Sequence, residues 1–372
     1  MLTIDQLLTR GVEQILPSRE GLEKLMAKKK IRLYLGIDPT ATKLHLGHTV
    51  MLRKLQQFAN LGHEAILLFG TGTVLVGDPS QRATGRKLIT QKEIDQNIKT
   101  WKDQVKPIID FNKVKIKYNG DWLLKMNLKD IIEIASKVSA VQLFKREMFQ
   151  RRLKLDDTVY YHETMYPLLQ GYDSVVMDVD LEIGGTDQTF NMLIGRELQQ
   201  KINHHEKYVL AGKMISGTDG QPMSKTSGNC IWLTDTAEDM FGKLMAVHDE
   251  LMPDYYEFFT DKNMPSGDPL SVKKLLALEI IQQYHGLKKA QTAQTHFEQT
   301  FQKKAPEYKQ TVKAQANLML TVAALVGSNS EAKRLIQQKA VDLNNQAVTD
   351  FNQPIKIGDK VKIGKKTFVK II

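Results

Sequence analysis

The chain has 372 residues, 42% hydrophobic and 25% charged, a balance that fits a globular protein of two or three domains. Its one cysteine, Cys230, excludes an internal disulfide framework and points to a reducing compartment, and no apolar run approaches the ~20 residues of a membrane span. The formal net charge of +10 suits a polyanionic partner, and it is uneven: from Val326 to Ile372 nine Lys/Arg stand against four Asp/Glu, half of the whole excess.

Residues 2–30 predict one or two short amphipathic helices covering a sheet edge. Asp5 and Glu13 stand where a secretory leader would be apolar, so a cytoplasmic protein is expected. Leu33-Tyr34-Leu35-Gly36-Ile37 is apolar and closed by Asp38-Pro39-Thr40, which predicts a buried strand running into a turn. Leu44-His45-Leu46-Gly47-His48 then opens a run in which Leu46, Val50, Leu52, Leu55 and Phe58 recur at roughly helical spacing, with Gly62 as the stop. A strand, a turn and a helix N-terminus form a natural phosphate site, because free N–H groups and the positive end of the helix dipole face the ligand. Gly47 keeps that approach open between His45 and His48. The histidine pair alone reads equally as ordinary polar residues, and no Cys or carboxylate-rich partner lies at metal-ligand spacing.

Residues 64–70 predict the next strand, followed by Gly70-Thr71-Gly72-Thr73 and by Val76-Gly77-Asp78, loops of the kind that bind ligands at the carboxyl ends of parallel strands. Arg82, Arg86 and Lys87 follow, either a solvated basic loop or a mobile clamp on phosphates. Residues 90–154 read mostly helical, an insertion between the halves of a nucleotide fold with enough apolar surface for a subunit interface. Lys145, Arg146, Arg151, Arg152 and Lys154 crowd its end, a solvated face or a nucleic-acid backbone contact. Tyr166, Gln170 and Asp173 are spaced four and three, so on a helix they share one face, suited to hydrogen-bonding a polar ligand. Residues 174–178 predict a buried strand, leading through Leu181 and Ile183 to Gly184-Gly185-Thr186-Asp187-Gln188. Paired glycines and an acid there fit close approach to a ribose, although the tetrapeptide alone is only a turn signal.

Residues 207–212 predict a further strand, and after it comes Pro222-Met223-Ser224-Lys225-Thr226-Ser227-Gly228-Asn229. Residues 234–302 read as helical, and a polar linker falls within 291–315. A short helix from Asn317, a capped basic helix carrying Lys333 and Arg334, and alternating short strands from Lys339 to Phe368 complete the chain.

The string Tyr34-x-Gly36-x-Asp38-Pro39-Thr40 with His45-Leu46-Gly47-His48 resembles the HIGH motif of class I aminoacyl-tRNA synthetases, in the form used by bacterial-type tyrosyl-tRNA synthetases. Residues 222–226 resemble the KMSKS loop of the same class, and the two motifs occur in the required order. One departure is plain: Pro222 stands where that loop has its first lysine. The basic tail resembles the small RNA-binding domain named after a ribosomal small-subunit protein.

The resemblance covers essentially the whole chain. It implies an α/β fold: a Rossmann-like parallel-sheet catalytic domain at 1–233 with a helical insertion at about 90–160, an α-helical anticodon-side domain at 234–302, a linker at 303–316, and a small C-terminal α+β RNA-binding domain at 317–372. The implied partners are L-tyrosine, ATP with Mg2+, tRNA(Tyr) and a second copy of the chain, with no membrane and no protein-held metal. Carried over by position, Thr40 and His45 match contacts to the γ-phosphate, His48 a ribose contact, and Lys225, Arg82 and Arg86 the cations on the leaving pyrophosphate. Gly36, Asp38, Gly47, Gly185, Asp187, Met223 and Ser224 fall at the ATP site. Tyr34 and Asp173 match the pair on the phenol hydroxyl, and Asp78, Tyr166 and Gln170 the α-ammonium site, with Gln188 near it. Lys333, Arg334 and Lys339 are the expected RNA contacts of the tail. A catalytically silent RNA-binding paralogue and a tryptophan-specific relative remain alternatives. A small-metabolite nucleotidyltransferase shares the His-x-Gly-His loop but has no use for the helical domain and basic tail.

Overall fold

A computed structural model describes residues 2–78, 89–223, 227–302, 308, 310–364 and 367–372. It divides into two compact units, Met1–Ala290 and Gln291–Ile372. No helix among the described residues is long and apolar enough to cross a membrane.

The first unit is built on a six-stranded sheet: β1 (Val12–Leu16), β2 (Arg32–Ile37), β3 (Glu64–Phe69), β4 (Val114–Tyr118), β5 (Leu181–Gly185) and β6 (Tyr208–Gly212), in the spatial order β1-β6-β5-β2-β3-β4. All neighbours are parallel except β1, which runs antiparallel along β6. The central strands are apolar on both faces, and Leu33, Tyr34, Ile66, Leu67, Leu181 and Leu210 are buried, as a sheet covered by helices requires. From β2 the chain winds outward to β3 and β4; from β5 it winds the other way to β6. The gap between β2 and β5 is therefore the topological switch point, and a crevice opens outside their carboxyl ends.

Several sequence expectations change here. Residues 2–30 contain not only helices, Ile4–Thr9 and Arg19–Lys28, but also the edge strand β1 between them. The span read as mostly helical from 90 to 154 includes β4, a strand of the main sheet, so the helix Gln91–Val105 is an ordinary crossover and the inserted helices begin after it. Ser174–Asp178 is not a strand. It is the last turn of the helix Tyr161–Met177, and Asp178 closes it in the left-handed conformation at φ 46°. Its run Ser-Val-Val-Met is apolar because the helix end is packed, which periodicity cannot separate from a short strand. That helix crosses Thr189–Asn203 closely: a Cβ at Gly171 would lie 3.1 Å from the backbone nitrogen of Gly195.

The second unit has its own sheet, in the order β7 (Gln310–Val312), β11 (Thr367–Ile371), β10 (Lys360–Ile363), β8 (Val341–Leu343), β9 (Gln346–Ala347). β7 lies inside the stretch read as linker. Helices Leu318–Val326 and Asn329–Gln337, capped by Asn317 and Ser328, bury Leu318, Val322 and Ile336 against Val341, Val361 and Ile371. Asn344 and Asn345 both have positive φ, the backbone that a two-residue hairpin between β8 and β9 demands.

Candidate active site

The crevice at the switch point is a cleft of about 810 Å³. Fifteen of the residues singled out in the sequence line it: Tyr34, Gly36, Asp38, Thr40, His45, Gly47, His48, Asp78, Tyr166, Gln170, Asp173, Gly185, Asp187, Gln188 and Met223. Arg82, Arg86, Ser224 and Lys225 lie outside the described residues. Lys333, Arg334 and Lys339 are exposed on the second unit, where Glu331 accepts two hydrogen bonds from Arg334.

One end of the cleft is formed by a helix N-terminus. His45 is the N-cap of the helix Leu46–Asn60, and its N–H donates to His48 Nδ1 at 3.2 Å. A Cβ at Gly47 would meet the His45 ring at 3.0 Å and Ile215 at 3.2 Å, so glycine at this position leaves room for those two side chains. The preceding segment is fixed by the helix Gln91–Val105. Asn97 Nδ2 donates to Pro39 O (2.8 Å), Trp101 Nε1 to Ala41 O (2.5 Å) and Gln104 Nε2 to Thr42 O (2.8 Å), while Gln104 Oε1 accepts from Leu44 N (2.8 Å). These three side chains hold the turn bearing Thr40 without regular secondary structure of its own. They were missed in the sequence because each contact spans about sixty residues.

The other end is narrow and charged. Asp173 is 2% exposed, and Trp122 Nε1 donates to its Oδ1 at 2.8 Å and Asn119 Nδ2 to its Oδ2 at 3.0 Å. Burial pushes this carboxyl well above the usual range, against the pull of those two donors, and the charges of Glu182 and Asp38 push the same way. Tyr34 does not bond Asp173 directly; its hydroxyl pairs with Ser174 Oγ at 2.9 Å. Tyr34 and Tyr166 are both pushed well above the ordinary phenol value, chiefly by burial and then by nearby carboxylates, so both stay neutral.

Between the two ends lies a polar wall. Tyr166 OH donates to Asp38 Oδ2 (3.1 Å) and Thr73 Oγ1 to Asp38 Oδ1 (2.8 Å), which ties Asp38 to the helix face carrying Gln170 and Asp173. Gly70 makes room for it: a Cβ there would lie 1.9 Å from Asp38 Oδ1. Gln188 Nε2 donates to Asp78 Oδ2 (2.7 Å) and Asp187 Oδ2 (3.2 Å), and Asn191 holds its Oε1 at 2.9 Å. Arg146, from the basic cluster, is buried with its guanidinium 4.9 Å over Phe190. Desolvation lowers its pKa, opposed by Asp78, Tyr166 and Asp187, and its burial removes at least one of those cations from the solvated face.

The stem of the downstream loop closes the cleft. Ser216 and Pro222 form an antiparallel bridge, and Asn229 Nδ2 donates to Asp219 Oδ1 (2.8 Å) and Pro222 O (3.2 Å). Pro222 itself lines the cleft. Proline has no N–H to lose, and this bridge position needs none from it.

This arrangement can bind a polyanion beside a helix N-terminus and a small amphoteric molecule with a polar far end, held in line with each other. The family model described as tRNA synthetases class I (W and Y) matches residues 26–321. The chain belongs to the class I tRNA synthetases of the tryptophan and tyrosine type. Among curated relatives of this synthetase family, a tyrosine–tRNA ligase of Carboxydothermus hydrogenoformans is 40% identical, with 99% of this chain and 97% of that one covered. One of Aquifex aeolicus is 37% identical, with 99% and 98% covered. Among solved structures, a truncated mitochondrial tyrosyl-tRNA synthetase of Aspergillus nidulans has a TM-score of 0.69 at 21% identity, covering 80% of this chain and 93% of its own. The Archaeoglobus fulgidus tyrosyl-tRNA synthetase complexed with L-tyrosine scores 0.62 at 21% identity, covering 78% and 98%. At that identity the structures establish that this synthetase chain shares their fold, and no more.

Residues with no individual site role assigned from the sequence hold the motif residues: Asn119 and Trp122 on Asp173, Thr73 on Asp38, and Ser174, Glu182 and Lys207 behind Tyr34. Asn119 and Trp122 follow directly on β4, so missing that strand hid them.

Proposed function

We propose that the chain activates L-tyrosine with ATP and transfers it to the 3′-terminal adenosine of tRNA(Tyr). The tyrosine carboxylate attacks the α-phosphorus of ATP in line, the bond to the bridging oxygen breaks, and pyrophosphate leaves with the electron pair. The terminal ribose hydroxyl then attacks the adenylate carbonyl, and AMP departs. Both substrates bring their nucleophiles, so the protein positions them and meets developing charge.

The observation that carries the choice of amino acid is the buried end of the cleft. A carboxylate fixed by Asn119 and Trp122 is an acceptor, and Tyr34 beside it carries a hydroxyl. A phenol hydroxyl can donate to the first while accepting from the second. An indole N–H only donates, which disfavours tryptophan. Asp78, Tyr166 and Gln170 are proposed to receive the α-ammonium group, with Gln188 and Asp38 bracing them. His45 and Thr40 are assigned to the triphosphate, His48, Gly185 and Asp187 to the nucleoside, and Arg82, Arg86, Ser224 and Lys225 to the leaving group. Mg2+ enters as the ion that ATP carries. Among the described residues no three or more His, Cys, Asp or Glu are grouped to hold a metal, and no step is assigned to one.

Helices from 234 onward are proposed to reach the anticodon side, and the second unit to hold RNA through Lys333, Arg334 and Lys339. A homodimer is proposed through the inserted segment, where Leu128, Ile132, Val141, Leu155 and Tyr161 are all more than half exposed. The cytoplasm is the proposed compartment. Amino-acid-dependent ATP–pyrophosphate exchange, run with each standard amino acid and no tRNA, tests the reading. Exchange with tyrosine alone is expected; exchange with tryptophan, or with none, overturns it.

A further inference from the structure

Behind the phenol end of the cleft sits an ion pair that the reaction above does not use. Lys207, at the entrance to β6, is fully buried and pairs with Glu182 of β5, itself 2% exposed. A buried pair of this kind is costly to desolvate and is weak evidence of a stabilising role. Space is nonetheless reserved for it: a Cβ at Gly195 would lie 2.6 Å from Lys207 Nζ and 2.9 Å from Ser174 Oγ. The ammonium also donates to Ser174 Oγ at 2.9 Å, and Ser174 Oγ is 2.9 Å from the Tyr34 hydroxyl.

Resting on the tyrosine reading, the geometry points to Lys207 as a positioning residue that sets the direction of a hydrogen-bond chain ending on the substrate phenol. The two hydroxyls in the middle can each donate or accept. The ends cannot. An ammonium only donates, and an ionised carboxylate only accepts. With Lys207 donating to Ser174, the serine proton is directed to Tyr34, the Tyr34 proton to the substrate oxygen, and the substrate proton to Asp173. Glu182 Oε2 is a rival acceptor for the serine proton, but at 3.4 Å from Ser174 Oγ it is the longer contact against 2.9 Å to Tyr34, and its charge is engaged by the Lys207 ammonium. Removing the ammonium frees Glu182 Oε2 to draw the serine proton. Tyr34 then turns to donate to Ser174, and the substrate meets two acceptors instead of a donor and an acceptor. Phenylalanine, with no hydroxyl, is indifferent to the direction.

Two neutral double variants avoid an unpaired buried charge and differ in one donor. In Lys207→Met with Glu182→Gln, the introduced side-chain amide keeps an acceptor for Gln170, which in the parent donates to Glu182 Oε1 at 3.0 Å, and offers an N–H to Ser174. In Lys207→Met with Glu182→Leu that donor is gone and no carboxylate takes its place, so the helical Ser174 turns its proton to the backbone carbonyl one turn back, at Gln170, and Tyr34 donates to Ser174. The readout is kcat/KM for tyrosine and phenylalanine in pyrophosphate exchange, with KM for ATP. The leucine variant should narrow the tyrosine-to-phenylalanine ratio by about tenfold, through KM for tyrosine, the size expected of one hydrogen bond; the glutamine variant should hold the ratio within about threefold of the parent. KM for ATP should not move in either. Equal narrowing in both variants, or in neither, overturns the inference. A parent protein with no tyrosine-dependent exchange overturns the tyrosine reading instead, so the two failures are distinguishable.

Discussion

Asp173→Asn isolates the charge at the end of the cleft while keeping its shape. Each carboxylate oxygen takes one N–H from the protein, Trp122 on one and Asn119 on the other, so a ligand hydroxyl would use a remaining lone pair. An asparagine presents NH2 to one of those donors. One protein hydrogen bond is lost, at a cost of about 1–3 kcal/mol of stability for a buried donor left unpaired. The substrate loses a bond to a charged acceptor, worth about 1.5–3 kcal/mol, or roughly 10- to 150-fold in kcat/KM for tyrosine. Phenylalanine never made that bond, so its kcat/KM should stay level or rise, and KM for ATP should hold within about twofold. The pH dependence gives an independent arm. Burial raises the Asp173 carboxyl well above the usual carboxylate range, so the acceptor is lost as pH falls through that raised value. The parent's kcat/KM for tyrosine should therefore decline on the acid side at a higher pH than an ordinary carboxylate would cause, and the asparagine variant should lack that limb. Pyrophosphate exchange across pH with both amino acids reads all of this. A variant that loses tyrosine and ATP in equal measure, or that keeps the parental ratio of tyrosine to phenylalanine, would refute the assignment of Asp173 to the phenol.

Gly70→Ala places a Cβ 1.9 Å from Asp38 Oδ1 and should push Asp38 off Tyr166, lowering tyrosine activation by about tenfold or more at an overpacking cost of about 1–3 kcal/mol; unchanged exchange would mean Asp38 is not needed where it stands. Lys54, 3% exposed and donating to Leu7 O, has its pKa lowered by burial from 10.5 to about 8. Between those values the unfolded chain binds the extra proton, so stability should rise with pH there, by up to about 3 kcal/mol relative to Lys54→Met; denaturant titrations of both proteins at two pH values check the sign, and a flat difference would count against it. Reversing the charge of Lys333 and Arg334 together should lower tRNA charging by about tenfold at physiological salt and leave pyrophosphate exchange untouched; equal loss in both assays would place those residues elsewhere in the mechanism.

What could be read in advance follows the range of the forces involved. The Gly-rich strand ends and the His45-to-His48 turn are local, because glycine, proline and a helix start declare themselves within a few residues, and the structure brings Gly36, Gly70, Gly184, Gly185 and that turn to one cleft. The strands misread were those whose pattern is set by distant neighbours. β1 is a short edge strand that reads as part of a helical stretch until β6 pairs with it. β4, Val-Lys-Ile-Lys-Tyr, alternates as a strand should, but it stands between helices long enough to absorb it. The segment 174–177 is apolar and β-branched, yet it completes a helix already under way. In each case tertiary pairing decided what local preference left open.

The deeper gap lies in charge. Lys207 opens a strand after a polar loop, where a lysine ordinarily reaches solvent, and Glu182 sits mid-strand, where an acid in a buried sheet looks like a misfit. Neither residue makes sense alone, and they lie 25 positions apart. Their pairing becomes legible only when β5 and β6 are neighbours and Gly195 leaves room for the ammonium. The motif residues line the cleft and declare their chemistry in the sequence. The residues that orient them carry no local signature, and geometry alone reveals them. A cleft that must tell one hydroxyl from none needs both sets, because a hydroxyl is recognised by which way each proton points as much as by where each atom lies.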